Sequence, residues 1–92
     1  MLPIIDKDLE KQLPPLYEQD GKEEQTIYAR FYSDEWEWFA LEYSPLQKLF
    51  FGLVDEEYRY FTVDELESFG VVRDYNFEPK VIQGDTYGKR VA

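Results

Sequence analysis

The chain has 92 residues, 43% of them apolar and 18% aromatic, and it carries 20 acidic against 10 basic side chains, a net charge of −10. Its length suits one domain, and its apolar content is too high for a disordered chain. The acidic excess disfavours direct binding to nucleic acid or to anionic membranes. The sequence has no His and no Cys, which excludes disulfides, thiolate metal sites and catalysis by Ser–His or Cys–His pairs.

The N-terminal segment, IIDKDLEKQLPPLY at residues 4–17, predicts a short helix with an abrupt end. Asp6 can cap the first turn. Leu9 and Leu13 are about one turn apart and share a face. The two prolines that follow end the helix, because proline has no amide donor and disfavours helical geometry in the residue before it. A polar loop is predicted at residues 18–25.

Four strands are predicted after this loop, each rich in aromatic or β-branched residues. In the first, TIYARFYS, the alternation puts Ile27, Ala29 and Phe31 on one face. The third, KLFFGLV, is almost continuously apolar, which indicates a strand covered on both faces. Short polar turns separate the predicted strands at residues 26–33, 36–43, 48–54 and 58–62.

A second helix is predicted after the fourth strand. Thr62 and Glu65 match the S/T-x-x-E capping box, and Gly70 is suited to end the helix. The side chains expected to point into the core are Val63, Leu66 and Phe69.

The remaining residues complete an α+β fold. One more extended segment is predicted within residues 71–82, and residues 83–92 predict a flexible C-terminal tail. We therefore expect a single domain at residues 1–82, an antiparallel β-meander of about four to five strands with a short N-terminal helix and a short helix after the fourth strand. No apolar run approaches the roughly 20 residues of a membrane span, and the N-terminus lacks a signal-peptide pattern, so we expect a cytoplasmic protein.

Five short segments follow one another along the chain: LPPLY at 13–17, WEWFALEY at 36–43, FFGLV at 50–54, YFTVDEL at 60–66 and RDYNFEP at 73–79. In this order they resemble a family of small domains of unknown function that is common on bacterial plasmids and other mobile elements. The likeness runs from about Leu2 to Ile82, with a shorter segment between Phe69 and Arg73 than family members tend to carry. The resemblance implies a fold and a genomic setting, and it brings no activity and no functional residue.

The densest charge lies at residues 54–70, VDEEYRYFTVDELESFG, where six carboxylates accompany one base, Arg59. Asp64 and Glu65 fall in the first turn of the predicted helix, where the helix dipole favours acids. Residues 1–72 together hold 17 acids and 6 bases, a net charge of −11, which is more than turns and caps require. These charges either serve solubility alone or form an acidic surface that meets a basic one.

The sequence contains no arrangement typical of catalysis or of a cofactor site. The acidic turn at residues 55–57 lacks the alternating oxygen ligands and the glycine of a calcium loop. The five glycines are all isolated, so no phosphate-binding loop is present. Nothing places two carboxylates in one pocket, as acid–base catalysis requires. We predict a protein that is not an enzyme and has no catalytic residue, cofactor or metal.

We expect a protein-binding module whose acidic surface imitates nucleic acid. Carboxylates at alternate strand positions repeat about every 6.7 Å, and phosphates rise about 3.4 Å each along one DNA strand. The expected partner is a basic nucleic-acid-binding protein of a host defence system, of the restriction or CRISPR type. Its identity and the oligomeric state of the chain stay open. The predicted contact residues are Asp34, Glu35, Glu37, Asp55, Glu56, Glu57, Asp64 and Glu67, with Tyr58 and Trp38 as aromatic anchors.

The alternative is an accessory or regulatory domain of plasmid or mobile-element maintenance that binds a protein through an aromatic patch. Tyr and Trp are the residue types that anchor protein interfaces. A chain of this length has few helices to cover both faces of the predicted sheet, so some aromatic side chains are expected to stay exposed. The candidates are Tyr28, Tyr32, Trp38 and Tyr58. The simpler interpretation of the strand aromatics is as core and cross-strand pairs, and it applies to Trp36, Trp38, Phe39 and Tyr43.

Overall fold

Two helices and seven strands form three layers in the computed structural model, which describes residues 4–84. Both helices pack on one face of a five-stranded sheet, and a two-stranded sheet packs on the other face. No helix in this range is long and apolar enough to cross a membrane. The elements in chain order are α1 (Lys7–Gln12), β1 (Glu24–Ile27), β2 (Ala29–Tyr32), β3 (Glu37–Ser44), β4 (Leu49–Val54), β5 (Glu57–Thr62), α2 (Val63–Ser68), β6 (Val72–Arg73) and β7 (Lys80–Gln83).

The large sheet is antiparallel with the strand order β5-β4-β3-β2-β6. This confirms the predicted α+β meander with two short helices. The single strand predicted at residues 26–33 is wrong, because the chain passes at Tyr28 from β1 in the small sheet to β2 in the large one. Ile27 therefore packs in a different cluster from Ala29 and Phe31, and the three do not share a face.

The last described residues belong to the small sheet. β7 pairs with β1, with Gln83 opposite Glu24, and Gly84 is buried with its N–H donating to the carbonyl of Glu23 at 2.7 Å. The predicted segment at residues 71–82 thus contains two short strands, β6 and the start of β7. Residues 85–92 of the predicted tail lie outside the described residues.

Both helix N-termini are capped by the predicted side chains. Asp6 accepts a hydrogen bond from the Leu9 N–H at 2.9 Å, which lowers the pKa of its carboxyl, and Arg73 pairs with it at 3.1 Å. Thr62 accepts a hydrogen bond from the Glu65 N–H at 3.0 Å, as the capping box predicts.

The core on the helix side of the large sheet is built around aromatic rings. Phe50 lies 4.6 Å from the ring of Tyr43 and 5.2 Å from that of Phe61, measured between centroids. Val63 and Leu66 of α2 are buried against this cluster, as predicted. Phe69 is 67% exposed, so the prediction that it points into the core is wrong. The helix ends at Ser68, and the chain leaves helical geometry before a third inward position is reached.

A β-bulge interrupts the pairing of β3 with β4. Ala40 pairs with Gly52 and Glu42 pairs with Phe51, which leaves Leu41 as the extra residue. The bulge requires glycine at position 52, because a Cβ on Gly52 would lie 1.8 Å from the carbonyl oxygen of Phe39. No side chain can move to relieve that contact, since the oxygen belongs to the backbone.

The bulge directs a fully buried carboxylate toward the loop before β1. Glu42 is 0% exposed, and its two oxygens accept the N–H groups of Tyr17 and Gln19, both at 2.8 Å. The Gln19 amide in turn donates to the carbonyls of Leu41 at 2.9 Å and Thr26 at 3.0 Å. These bonds join the loop, β1 and β3 into one buried polar network.

We expect Gly52→Ala to prevent folding or to lower the free energy of unfolding by several kcal/mol, on the order of 3 or more, because the new methyl group meets backbone. Gly21→Ala is the matched control. Gly21 has a positive φ of 78° and nothing within 4 Å of an added Cβ, so only conformational strain of about 1 kcal/mol is expected. Urea denaturation of both variants measures the difference, and equal losses would contradict the role of the bulge.

Candidate functional site

Two hairpin turns lie side by side at one end of the large sheet. Neighbouring strands alternate in direction, so the β2–β3 and β4–β5 turns emerge at the same end. Trp38 of β3 pairs with Val54 of β4, and this pairing sets the two turns next to each other. We call this region the acidic end, which comprises Asp34, Glu35, Glu37, Asp55, Glu56 and Glu57.

The β2–β3 turn presents two carboxylates at its tip. The Ser33 N–H donates to the Trp36 carbonyl at 2.9 Å and closes the hairpin. Asp34 and Glu35 lie between these residues and are exposed. The turn is short and hydrogen-bonded, so the backbone that carries the two acids has a defined position relative to the sheet.

The β4–β5 turn holds two more carboxylates in an unusual backbone conformation. Asp55 has a φ of 53° and Glu56 a φ of 66°, and both are exposed. Positive φ at both central residues is the type I′ geometry, which matches the twist of a hairpin and favours Asn-Gly or Asp-Gly. A glutamate in the second position is held against its intrinsic preference by the pairing of β4 with β5.

The nearby arginines neutralise only part of this charge. Arg30 pairs with Glu37 at 2.7 Å and with Asp74 at 3.1 Å, and the bond to Glu37 raises the pKa of its guanidinium. Arg59 pairs with Glu57 at 2.6 Å. Among residues 4–84, no cation lies within ion-pair distance of the four remaining acids of the acidic end. These are Asp34, Glu35, Asp55 and Glu56.

Two clefts flank the β2–β3 turn, one on each face of the sheet. The cleft on the helix side has a volume of about 650 Å³ and includes Trp36, Trp38 and Phe69 in its wall. The cleft on the small-sheet side has a volume of about 530 Å³ and includes Arg30 and Lys80. Asp34, Glu35 and Trp36 line both clefts, because the turn that carries them separates the two.

The fold brings together six of the eight predicted acidic contact residues. Asp64 and Glu67 are the exceptions, since both are exposed on α2 and neither lines a cleft beside the turns. The first turn of α2 follows the far end of β5, and this places Asp64 at the opposite end of the sheet from the acidic end.

The two predicted aromatic anchors lie deeper in the molecule than their assigned role requires. Trp38 is only 7% exposed and belongs to the helix-side core. Tyr58 is half-buried, and its hydroxyl lies 2.5 Å from Oε1 of Gln25 and 3.0 Å from the Gly84 carbonyl. Tyr58 thus ties β5 to the small sheet.

Of the other aromatic residues expected to stay exposed, Tyr32 is 36% exposed and Tyr28 is partly buried. Two further aromatic residues near the acidic end are exposed, and the sequence patterns do not indicate this. Trp36 is 49% exposed and Phe69 is 67% exposed. The sequence feature that indicates exposure of Trp36 is its position directly after the turn acids, at the edge of the strand. Phe69 lies directly before Gly70, a residue type that commonly follows the end of a helix. A side chain at this position can therefore point away from the core.

Within the described part of the chain, no group of acidic side chains is placed to hold a metal ion. No family model, no curated protein and no solved structure matches this chain. The family resemblance drawn from the sequence therefore stays a prediction, and the case for a function rests on the geometry of the acidic end.

We expect Glu56→Gly to raise the free energy of unfolding by about 0.5–1 kcal/mol, because glycine adopts positive φ without strain. Glu57→Gly is the matched control, since Glu57 lies in β5, where glycine weakens a strand by up to about 1 kcal/mol. Thermal and urea denaturation measure both changes. A loss of stability in Glu56→Gly would show that the turn does not impose the conformation described.

Proposed function

We propose that this chain is a non-enzymatic binding module whose acidic end docks on the basic surface of a nucleic-acid-binding protein and occludes it. The observation that carries the proposal is the set of four carboxylates on two adjacent turns with no ion-pair partner among residues 4–84. A basic groove supplies the missing cations, and the resulting charge complementarity steers the two proteins together.

The arrangement of the turns suits a groove that tracks a phosphate backbone. The β2–β3 and β4–β5 turns are two strands apart, which corresponds to roughly 10 Å at the usual strand spacing. That distance is about three times the rise of 3.4 Å per phosphate along one DNA strand. The carboxylates lie at turn tips, so the spacing between turns takes the place of the alternate strand positions expected from the sequence.

Rigidity supports this proposal over a role in solubility alone. Each turn is closed by strand pairing, and one of them holds acids at positive φ. A charge that serves only solubility needs no defined position. A partner groove, by contrast, gains affinity when the backbone that carries the acids is already in place, because less entropy is lost on binding.

The alternative of an aromatic contact has one supporting observation. Trp36 and Phe69 are exposed beside the acidic end, so an accessory domain that binds a protein through an apolar patch would use the same region. The two modes differ in their response to salt, since exposed charge pairs are screened at high ionic strength and apolar contacts are not.

Two triple variants with equal charge test the location of the contact. Asp34→Asn, Glu35→Gln and Glu56→Gln neutralise three of the four acids of the acidic end that have no ion-pair partner among residues 4–84. The control set, Glu18→Gln, Glu23→Gln and Glu24→Gln, neutralises three exposed acids of the loop before β1 and of β1 itself. Each set changes the net charge by the same amount.

The full-length chain is immobilised, proteins of a nuclease-treated bacterial lysate are bound to it, and the recovered proteins are assayed for binding to labelled duplex DNA and RNA. We expect the chain to displace nucleic acid from a recovered protein. The acidic-end set should weaken this competition at least tenfold, about 1.4 kcal/mol, and the control set should leave it unchanged. Recovered proteins that keep their nucleic acid, or equal effects of the two sets, would contradict the proposal.

A further inference from the structure

We propose that the helix-side cleft beside the β2–β3 turn binds a guanidinium group, the side chain of an arginine on the partner. This inference rests on the proposed function and specifies which residue type of the partner anchors the contact. The cleft combines aromatic walls with carboxylates at its rim, and the relevant residues are Trp36, Trp38, Phe69, Asp34 and Glu35.

The aromatic wall is partly preformed. The ring of Trp38 stacks on that of Phe69, with centroids 6.4 Å apart and an interplanar angle of 21°. Trp38 is held in the core at 7% exposure, whereas Phe69 is 67% exposed. Trp36, at 49% exposure, adds a second tryptophan to the same cleft. Tryptophan offers the most favourable ring face for a cation, and arginine uses such faces more often than lysine.

The rim of the cleft supplies negative charge. Asp34 and Glu35 line it and make no ion pair with residues 4–84. Arg59 also lines the cleft, but it pairs with Glu57 at 2.6 Å. A planar guanidinium can stack on an aromatic face and pair with a carboxylate in its own plane at the same time, which a lysine ammonium cannot do.

The chain uses this combination within its own fold. The Arg30 guanidinium lies 4.6 Å from the ring centroid of Tyr32 while it pairs with Glu37 at 2.7 Å. Arg73 likewise lies 4.5 Å from the ring of Tyr75 and pairs with Asp6 at 3.1 Å. The helix-side cleft presents the same two partners, an aromatic face and a carboxylate, toward the outside of the molecule.

The two tryptophans of the chain, Trp36 and Trp38, both line this cleft, so their indole N–H resonances report on it directly. The full-length protein is titrated with Nα-acetyl-arginine amide, and Nα-acetyl-citrulline amide serves as the neutral isostere. We expect saturable shifts of both indole resonances with arginine, with a dissociation constant on the order of millimolar. Citrulline should bind at least tenfold more weakly, and the corresponding lysine amide should also bind more weakly than arginine.

Two variants test whether the aromatic wall and the rim carboxylates of the cleft bind arginine. Phe69→Ala removes the 67% exposed ring that stacks on Trp38, and Asp34→Asn with Glu35→Gln removes the rim charge. Each should weaken arginine binding at least fivefold, while the Glu18, Glu23 and Glu24 control set should not change it. Circular dichroism checks that each variant is folded.

Equal binding of arginine and citrulline, or indole resonances that do not move at saturating arginine, would overturn the guanidinium site. Those results leave the proposed function standing if the acidic-end set still weakens competition with nucleic acid at least tenfold. Arginine binding without any competition would instead separate the cleft from the proposed function and contradict only the latter.

Discussion

The pairing of β3 with β4 across the bulge at Leu41 is the constraint on which the other features depend. Gly52 leaves room for the bulge, since any larger residue would meet the Phe39 carbonyl. The bulge allows the Glu42 carboxylate to bind the loop before β1, and Gln19 in that loop holds β1 in turn. A buried carboxylate is stable only when hydrogen bonds replace its water, and here two backbone N–H groups do so. On the other side of the bulge, the same pairing sets the two acidic turns next to each other.

The acidic end and the helix-side cleft act together in the proposed function. Packing holds Trp38 as the base of the cleft, and strand pairing holds the turn acids around it, so neither needs to rearrange for binding. Carboxylates supply long-range attraction and orientation, whereas an aromatic wall supplies contact area that is insensitive to salt. A partner arginine that enters this cleft uses both. Affinity would then depend on the identity of one basic residue as well as on total charge, which distinguishes specific recognition from general electrostatic attraction.

Much of the fold could be predicted because its signals are local. Asp6, Thr62 and Glu65 mark the N-terminal ends of the two helices, and short polar turns separate the apolar strands. The split at Tyr28 and the pairing of β1 with β7 could not be predicted, because both depend on contacts between distant parts of the chain. The common location of the six acids at the acidic end could be predicted from the turns and the strand order. The exposure of Trp36 and Phe69 could not be predicted from the sequence. It depends on where α2 ends above the sheet and on which side chains the helix therefore does not cover.

Chemical-shift mapping of the ¹⁵N-labelled full-length protein with an oligoarginine peptide tests the central claim most directly, because it shows which of the acidic segments a basic ligand selects. We expect the largest amide shifts in the two turns, at residues 33–37 and 54–57, and at Phe69. The four acids at residues 18–24 should show little change, although they are exposed as well. Shifts spread evenly over every acidic segment would contradict selective binding at the acidic end and leave a domain whose charge has no preferred face.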